Sequence, residues 1–122
     1  MVDTYLQALE ILLKKTTENV DRKIDIDARH FFGGAAAYAD GRIFISLTPA
    51  GLALKLPEEH RAVLRDQGAT PLRYFPKAPI KKDYVVLPET IAEDSAALAG
   101  WVEKSIGYVL TLPKPRPKSG GR

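Results

Sequence analysis

The sequence predicts an α+β domain in which an antiparallel meander is flanked by a helix at each end. Three observations predict it. Asp40-Gly41 lies between two strand-like runs and is the strongest short turn signal in the chain, because a two-residue hairpin turn requires positive φ, which glycine accepts freely and aspartate tolerates. Two segments, 22–29 and 52–56, alternate with period two. Near both ends the apolar residues recur at helical spacing instead.

Taken in order, the first helix is expected from about Thr4 to Thr17, where Thr4 and Gln7 fit a capping box and Tyr5, Leu6, Leu9, Leu12 and Leu13 share one broad face. Arg22 to Arg29 reads as a half-buried strand, with Ile24, Ile26 and Ala28 on one side and Lys23, Asp25, Asp27 and Arg29 on the other. A hairpin follows from His30 to Leu47. Its second strand is β-branched and aromatic, whereas its first, Gly33-Gly34-Ala35-Ala36-Ala37, is almost bare of side chain and admits a close neighbour. After a Pro49-Ala50-Gly51 turn, Leu52, Leu54 and Leu56 alternate along a further strand. Pro57, Glu58, Glu59 and Gly68 bracket a short connecting helix with Val63 and Leu64 as its buried residues. Pro71 to Phe75 and Tyr84 to Leu87 supply two more strands, for about five to six in all. The last helix starts after Asp94 or Ser95 and carries Leu98, Trp101, Val102, Ser105 and Val109 on one stripe.

Composition narrows the class. A chain of 122 residues is one domain by length, and 45% hydrophobic with 27% charged residues is globular. Residues 1–112 are expected to form the domain and 113–122 a disordered basic tail. Without cysteine there is no disulfide, no thiolate metal site and no cysteine nucleophile. No apolar run approaches the length of a membrane span, and the first residues lack a basic signal-peptide region, so a cytoplasmic location is expected. The net charge of +3 belongs to the tail: the last ten residues hold four of the 18 Lys/Arg and none of the 15 Asp/Glu, leaving 14 against 15 in residues 1–112. A fold that grips phosphates shows its basic stripe on the body, so this distribution disfavours nucleic acid as the main partner.

The order Arg29-His-Phe-Phe-Gly-Gly, Tyr38, Asp40-Gly41, Phe44, Leu54-Lys55, Gly68, Pro71, Tyr84, Pro88, Leu98 and Trp101 resembles the N-terminal domain of the TfoX competence-regulator family, over about residues 4–110. Phe31 stands where the family usually has Met, a tolerable core exchange. The resemblance implies a two-layer α+β sandwich with the terminal helices on one face of an antiparallel sheet, and no established catalytic residues. Full-length TfoX proteins continue into a C-terminal helical domain, so a stand-alone N-terminal module is expected here.

Catalytic and metal chemistry find no support in the residues. His30 and His60 are the only histidines and lack a metal-binding spacing. Asp25 and Asp27 share a strand face, but their alternation with Lys23 and Arg29 describes a solvated, charge-paired surface. Ser46, Ser95 and Ser105 have no nucleophile context. Gly33-Gly34 enters a strand, not a helix N-terminus, and so lacks the amides of a phosphate cradle. Phe31, Phe32, Tyr38 and Phe44 read as packing residues before a base-stacking platform, since only Arg42 is interleaved with them.

The expectation is therefore a non-enzymatic binding or regulatory module without cofactor or metal, acting through a protein partner or self-association, with the resemblance suggesting a place near transcriptional regulation. Its candidate partner surface is Gly33, Gly34, Ala35, Ala36, Ala37 and Tyr38, a bare strand to which another chain can add, unless that strand lies inside the sheet beneath the first helix. The alternative is a nucleic-acid-binding module in which Arg73, Lys77, Lys81, Lys82, Lys114, Arg116 and Lys118 contact phosphates.

Overall fold

A computed structural model of the chain describes residues 4–31 and 33–113. Strands β1 (Ile26–Phe31), β2 (Gly34–Ala39), β3 (Arg42–Thr48), β4 (Gly51–Lys55), β5 (Thr70–Pro71) and β6 (Tyr84–Val86) accompany helices α1 (Thr4–Thr16), α2 (Glu58–Asp66), α3 (Glu89–Ala92) and α4 (Ser95–Val109). All six strands join one antiparallel sheet in the order β1-β2-β3-β4-β6-β5. Helices α1 and α4 pack on each other and on the central strands, which makes the two-layer α+β sandwich that the resemblance implies.

Local chemistry explains the meander. Asp40 and Gly41 take φ of 49° and 82°, the paired positive values that let a two-residue turn follow the twist of the strands it joins. Thr48 pairs with Gly51 across the next two-residue turn. Alternation then sorts the side chains. Ala35, Ala37 and Ala39 of β2, Ile45 of β3, Leu52 and Leu54 of β4 and Val85 of β6 enter a core with Leu9 and Leu13 of α1 and Leu98, Val102, Ile106 and Val109 of α4. Burial of each leucine contributes about 1.5–3 kcal/mol relative to exposure.

The register slips by one residue between Ala37 and Tyr38, because Ala37 faces Ile45 and Tyr38 faces Ile43. Phe44 is the extra residue of this bulge, and the bend lets two consecutive large side chains, Phe44 and Ile45, both reach full burial. The β3–β4 ladder stops at Ile45 and Leu54. Just beyond it, the buried hydroxyl of Ser105 on α4 shares its one proton between the carbonyls of Phe44 at 2.9 Å and Lys55 at 2.7 Å. A serine on the apolar stripe of α4 thus satisfies carbonyls that the bulge takes out of the ladder.

Three elements and one buried position differ from the sequence-based expectation. The first strand starts at Ile26, not Arg22, because residues 17–24 close successive turns: Val20 N–H donates to Thr17, Ile24 N–H to Asp21, and Lys23 N–H to the Asp21 carboxylate. Val63 is exposed and only Leu64 of α2 is buried among the two residues expected inside. Of the expected strand 71–75 only Pro71 joins the sheet, together with Thr70 before it, since the remainder crosses the sheet. A short α3, which the sequence reading did not separate, precedes α4 and buries Ile91. Among the described residues, no helix is long and apolar enough to cross a membrane.

Candidate functional site

Strand β2 lies inside the sheet. It pairs with β1 along Gly34–Ala39 and with β3 along Ala35–Ala39, and Ala35, Ala36 and Ala37 are fully buried. This corrects the expected partner surface at Gly33–Tyr38: no chain can add to a strand whose two edges are already occupied. The small residues have internal reasons. Ala35 and Ala37 make room beneath α1, and Gly34 faces the backbone of β3 so closely that a Cβ there would stand 2.3 Å from the Leu47 carbonyl oxygen. Only Gly33, at φ 77° in an exposed turn, and half-buried Tyr38 reach solvent.

The second sheet face is covered by the segment between β5 and β6. Tyr74 crosses it, with its hydroxyl 3.3 Å from Ser46 Oγ and its ring edge-on to Phe31 at 5.3 Å. Ser46 and Ala53, which stand opposite each other in β3 and β4, are fully buried. Around them, Arg29 lies over the Tyr38 ring at 5.4 Å and Lys55 over the Tyr84 ring at 5.8 Å. Burial raises the Tyr84 phenol far above its ordinary value, with Tyr74, Tyr38 and Asp83 adding to the effect. It raises Tyr74 as well, against the opposing hydrogen bond with Ser46. The alternation of Leu52, Leu54 and Leu56 places Ala53 on the opposite face, but no local signal ties that face to Tyr74.

The cations expected to contact phosphate divide between two places. Arg73, Lys77, Lys81 and Lys82 are all exposed on the 72–83 segment, which Arg73 steadies by donating to the Ala78 carbonyl at 2.8 Å and Lys81 by donating its N–H to Leu72 at 3.0 Å. Phe75, 57% exposed, stands among them. Lys114, Arg116 and Lys118, the tail that carries them, and Phe32 lie outside the described residues. His60 packs edge-on against Trp101 at 5.8 Å, and among the described residues no group of three or more His, Cys, Asp or Glu converges as a metal site would require.

What sequence reasoning missed is the strand that forms the sheet edge. The Asp40 N–H donates to the Asp25 carbonyl and the Asp25 N–H to the Asp40 carboxylate, so Asp25 faces β2; by alternation Asp27 and Arg29 also turn their backbone groups toward β2, while Ile26 and Ala28 turn theirs outward. Beside that edge runs an open groove of about 710 Å³ between α1 and β1, lined by Gln7, Ile11, Lys14, Ile26 and Ala28 among others. Ile11 is 58% exposed above it. The opposite edge, β5, is two residues long and contains Pro71, which has no N–H to offer. Clean alternation marks a half-buried strand, but only the sheet order reveals which strand is left at the rim.

The family model described as TfoX N-terminal domain matches residues 18–108, which leaves α1 outside the matched segment. No curated protein matches the chain.

Proposed function

Because the chain belongs to the TfoX N-terminal domain family, we propose that it is a non-catalytic binding and regulatory module, working in the cytoplasm near transcriptional regulation and acting through protein contact. The observation that carries this reading is the outward edge of β1 beside the groove under Ile11. An extended segment adding to this edge bonds to the backbone of Ile26 and Ala28, and its alternate side chains enter the groove, which is how strand addition combines affinity with specificity. Three of the side chains weighed for catalysis are engaged elsewhere: Ser46 with Tyr74, Ser105 with backbone carbonyls, and Asp27 with Arg29 at 2.5 Å.

The test places a photo-crosslinking residue at Gln7, exposed at the groove, in the full chain in its native host. A discrete protein adduct is expected, and Ala28→Pro should remove it. Proline at Ala28 deletes an N–H that points away from β2, so no ladder bond is lost. The absence of any protein adduct, or an adduct that Ala28→Pro leaves unchanged, overturns the reading.

A second reading, nucleic-acid binding, is favoured by one observation: an exposed aromatic, Phe75, sits among four exposed cations on the 72–83 segment.

A further inference from the structure

We infer that the chain which adds to β1 is a second copy of this one, paired antiparallel through a two-fold axis at Ala28. The inference rests on the reading of β1 as a protein-contact edge and deepens it by naming the partner.

Sheet edges that are meant to stay single are shortened, interrupted by proline or given like charges that repel a neighbour. The β5 edge is of that kind, two residues long with Pro71. The β1 edge is not. It is six residues long, Ile-Asp-Ala-Arg-His-Phe, without proline, and its charges are one of each sign, two residues apart on one face. Such a pattern is complementary to itself when the strand is reversed.

The backbone narrows the register. Ala28 directs its N–H and carbonyl outward, as the pairing of Asp25 with Asp40 and the alternation along β1 require. In an antiparallel pair, outward-facing residues must oppose outward-facing residues, so Ala28 of one copy can meet Ala28 of the other with both bonds exchanged. Asp27 of each copy then stands directly opposite Arg29 of the other, twice, because the axis repeats the contact. Moving the register so that Asp27 meets Asp27, or Arg29 meets Arg29, sets like charges together. The Ala28 register is therefore the one in which hydrogen bonding and charge agree. It also uses side chains that are reachable: Arg29 is 68% and Asp27 43% exposed.

The helix side agrees too. Ala28 is small and lies in the floor of the groove under Ile11, so two alanines on the axis leave space above them. Ile11 of each copy overhangs that space from its own α1, and pairing brings both over a shared floor. The two six-stranded sheets become one continuous sheet.

The test is sedimentation of the full chain from about 1 µM to about 1 mM, with hydrogen exchange at both ends of the range. A dimer is expected, with the amides of Ile26 and Ala28 slowing as it forms. Asp27→Arg and Arg29→Asp should each weaken self-association by about tenfold or more. An equimolar mixture of the two variants should recover it, since each then meets its opposite charge at both positions. Unchanged melting temperatures show that the exposed substitutions leave the fold intact. A wild-type chain that stays monomeric throughout, a dimer that neither substitution weakens, or a mixture that does not recover overturns the inference. Failure here is separable from failure of the docking edge itself. A monomeric chain that still gives an Ala28-dependent crosslink to another protein keeps the edge and loses only the self-pairing.

Discussion

The carboxylate of Asp40 accepts the backbone N–H of Asp25 at 2.8 Å, and the Asp25 carbonyl accepts the N–H of Asp40 at the same distance. One turn residue therefore both closes the β2–β3 hairpin and anchors the chain just before β1, the strand at the open rim. Asp40 is also the one described non-glycine residue with positive φ. Asn retains both the acceptor oxygen and the tolerance of this conformation, whereas Ala has neither. Asp40→Asn is expected to leave stability nearly unchanged, and Asp40→Ala to lose about 1–3 kcal/mol in chemical denaturation. Hydrogen exchange in the alanine variant should quicken first at Asp25 and along β1.

Gly34 has no room for any side chain. A Cβ would stand 2.3 Å from the Leu47 carbonyl oxygen and 2.7 Å from Thr48 Cα, and both obstacles are backbone, which cannot swing aside as a side chain would. Even Gly34→Ala should cost about 1–3 kcal/mol, and Gly34→Val at least as much. Gly33→Ala meets open space and is penalised only for its φ of 77°. Thermal unfolding of the three variants checks the order; a Gly34→Ala melting temperature equal to wild type would contradict this packing.

These two positions show which parts of the molecule the sequence disclosed. Asp40-Gly41 and the alternation of Leu52, Leu54 and Leu56 are local signals, and turn geometry and pleat act on them without help from distant residues. The bareness of Gly34–Ala37 is visible too, but its meaning depends on which strands flank it. An edge and an interior strand can both be poor in side chains. The sheet order, set by contacts distant in sequence, decides for the interior and transfers the open edge to β1. Residues 72–75 mislead for a related reason: they read as a strand, yet Arg73 bonding to Ala78 and Tyr74 to Ser46 pull the chain across the second face after Pro71.

Raised phenol values make stability fall in alkali. The phenols of Tyr84 and Tyr74 hold their protons more tightly when folded, chiefly through burial. Their contribution is fully present below the unfolded tyrosine value of about 10 and is lost as pH rises from there toward the folded value, because the unfolded chain releases protons first. The midpoint of urea unfolding should be flat with respect to these groups from neutral pH upward and decline beyond about pH 10. Tyr84→Phe should make that decline shallower. Spectrophotometric titration should show Tyr84 ionising late, together with unfolding; ionisation of all five tyrosines near the ordinary value in a folded chain would refute the burial of this face.

Nucleic-acid binding is open to a charge experiment, because the cations occupy separable parts of the chain. Residues 1–112 carry 14 Lys/Arg against 15 Asp/Glu, and the last ten residues carry four cations and no acid. Long-range attraction to DNA should therefore reside in the tail. On the 72–83 segment, Arg73 already donates to Ala78, while Lys77, Lys81 and Lys82 are exposed and, among the described residues, form no ion pair. Each phosphate contact contributes about 0.9 to the slope of log affinity against log salt on duplex DNA. Weak, salt-sensitive binding is expected from the full chain, and deletion of residues 113–122 should abolish it without lowering the melting temperature. Lys77→Glu/Lys81→Glu/Lys82→Glu should then change little. Binding that survives the deletion and falls with the triple substitution would place the contact on the body. A further loss on single strands in Phe75→Ala would add base stacking to it, and nucleic acid would replace protein as the leading partner.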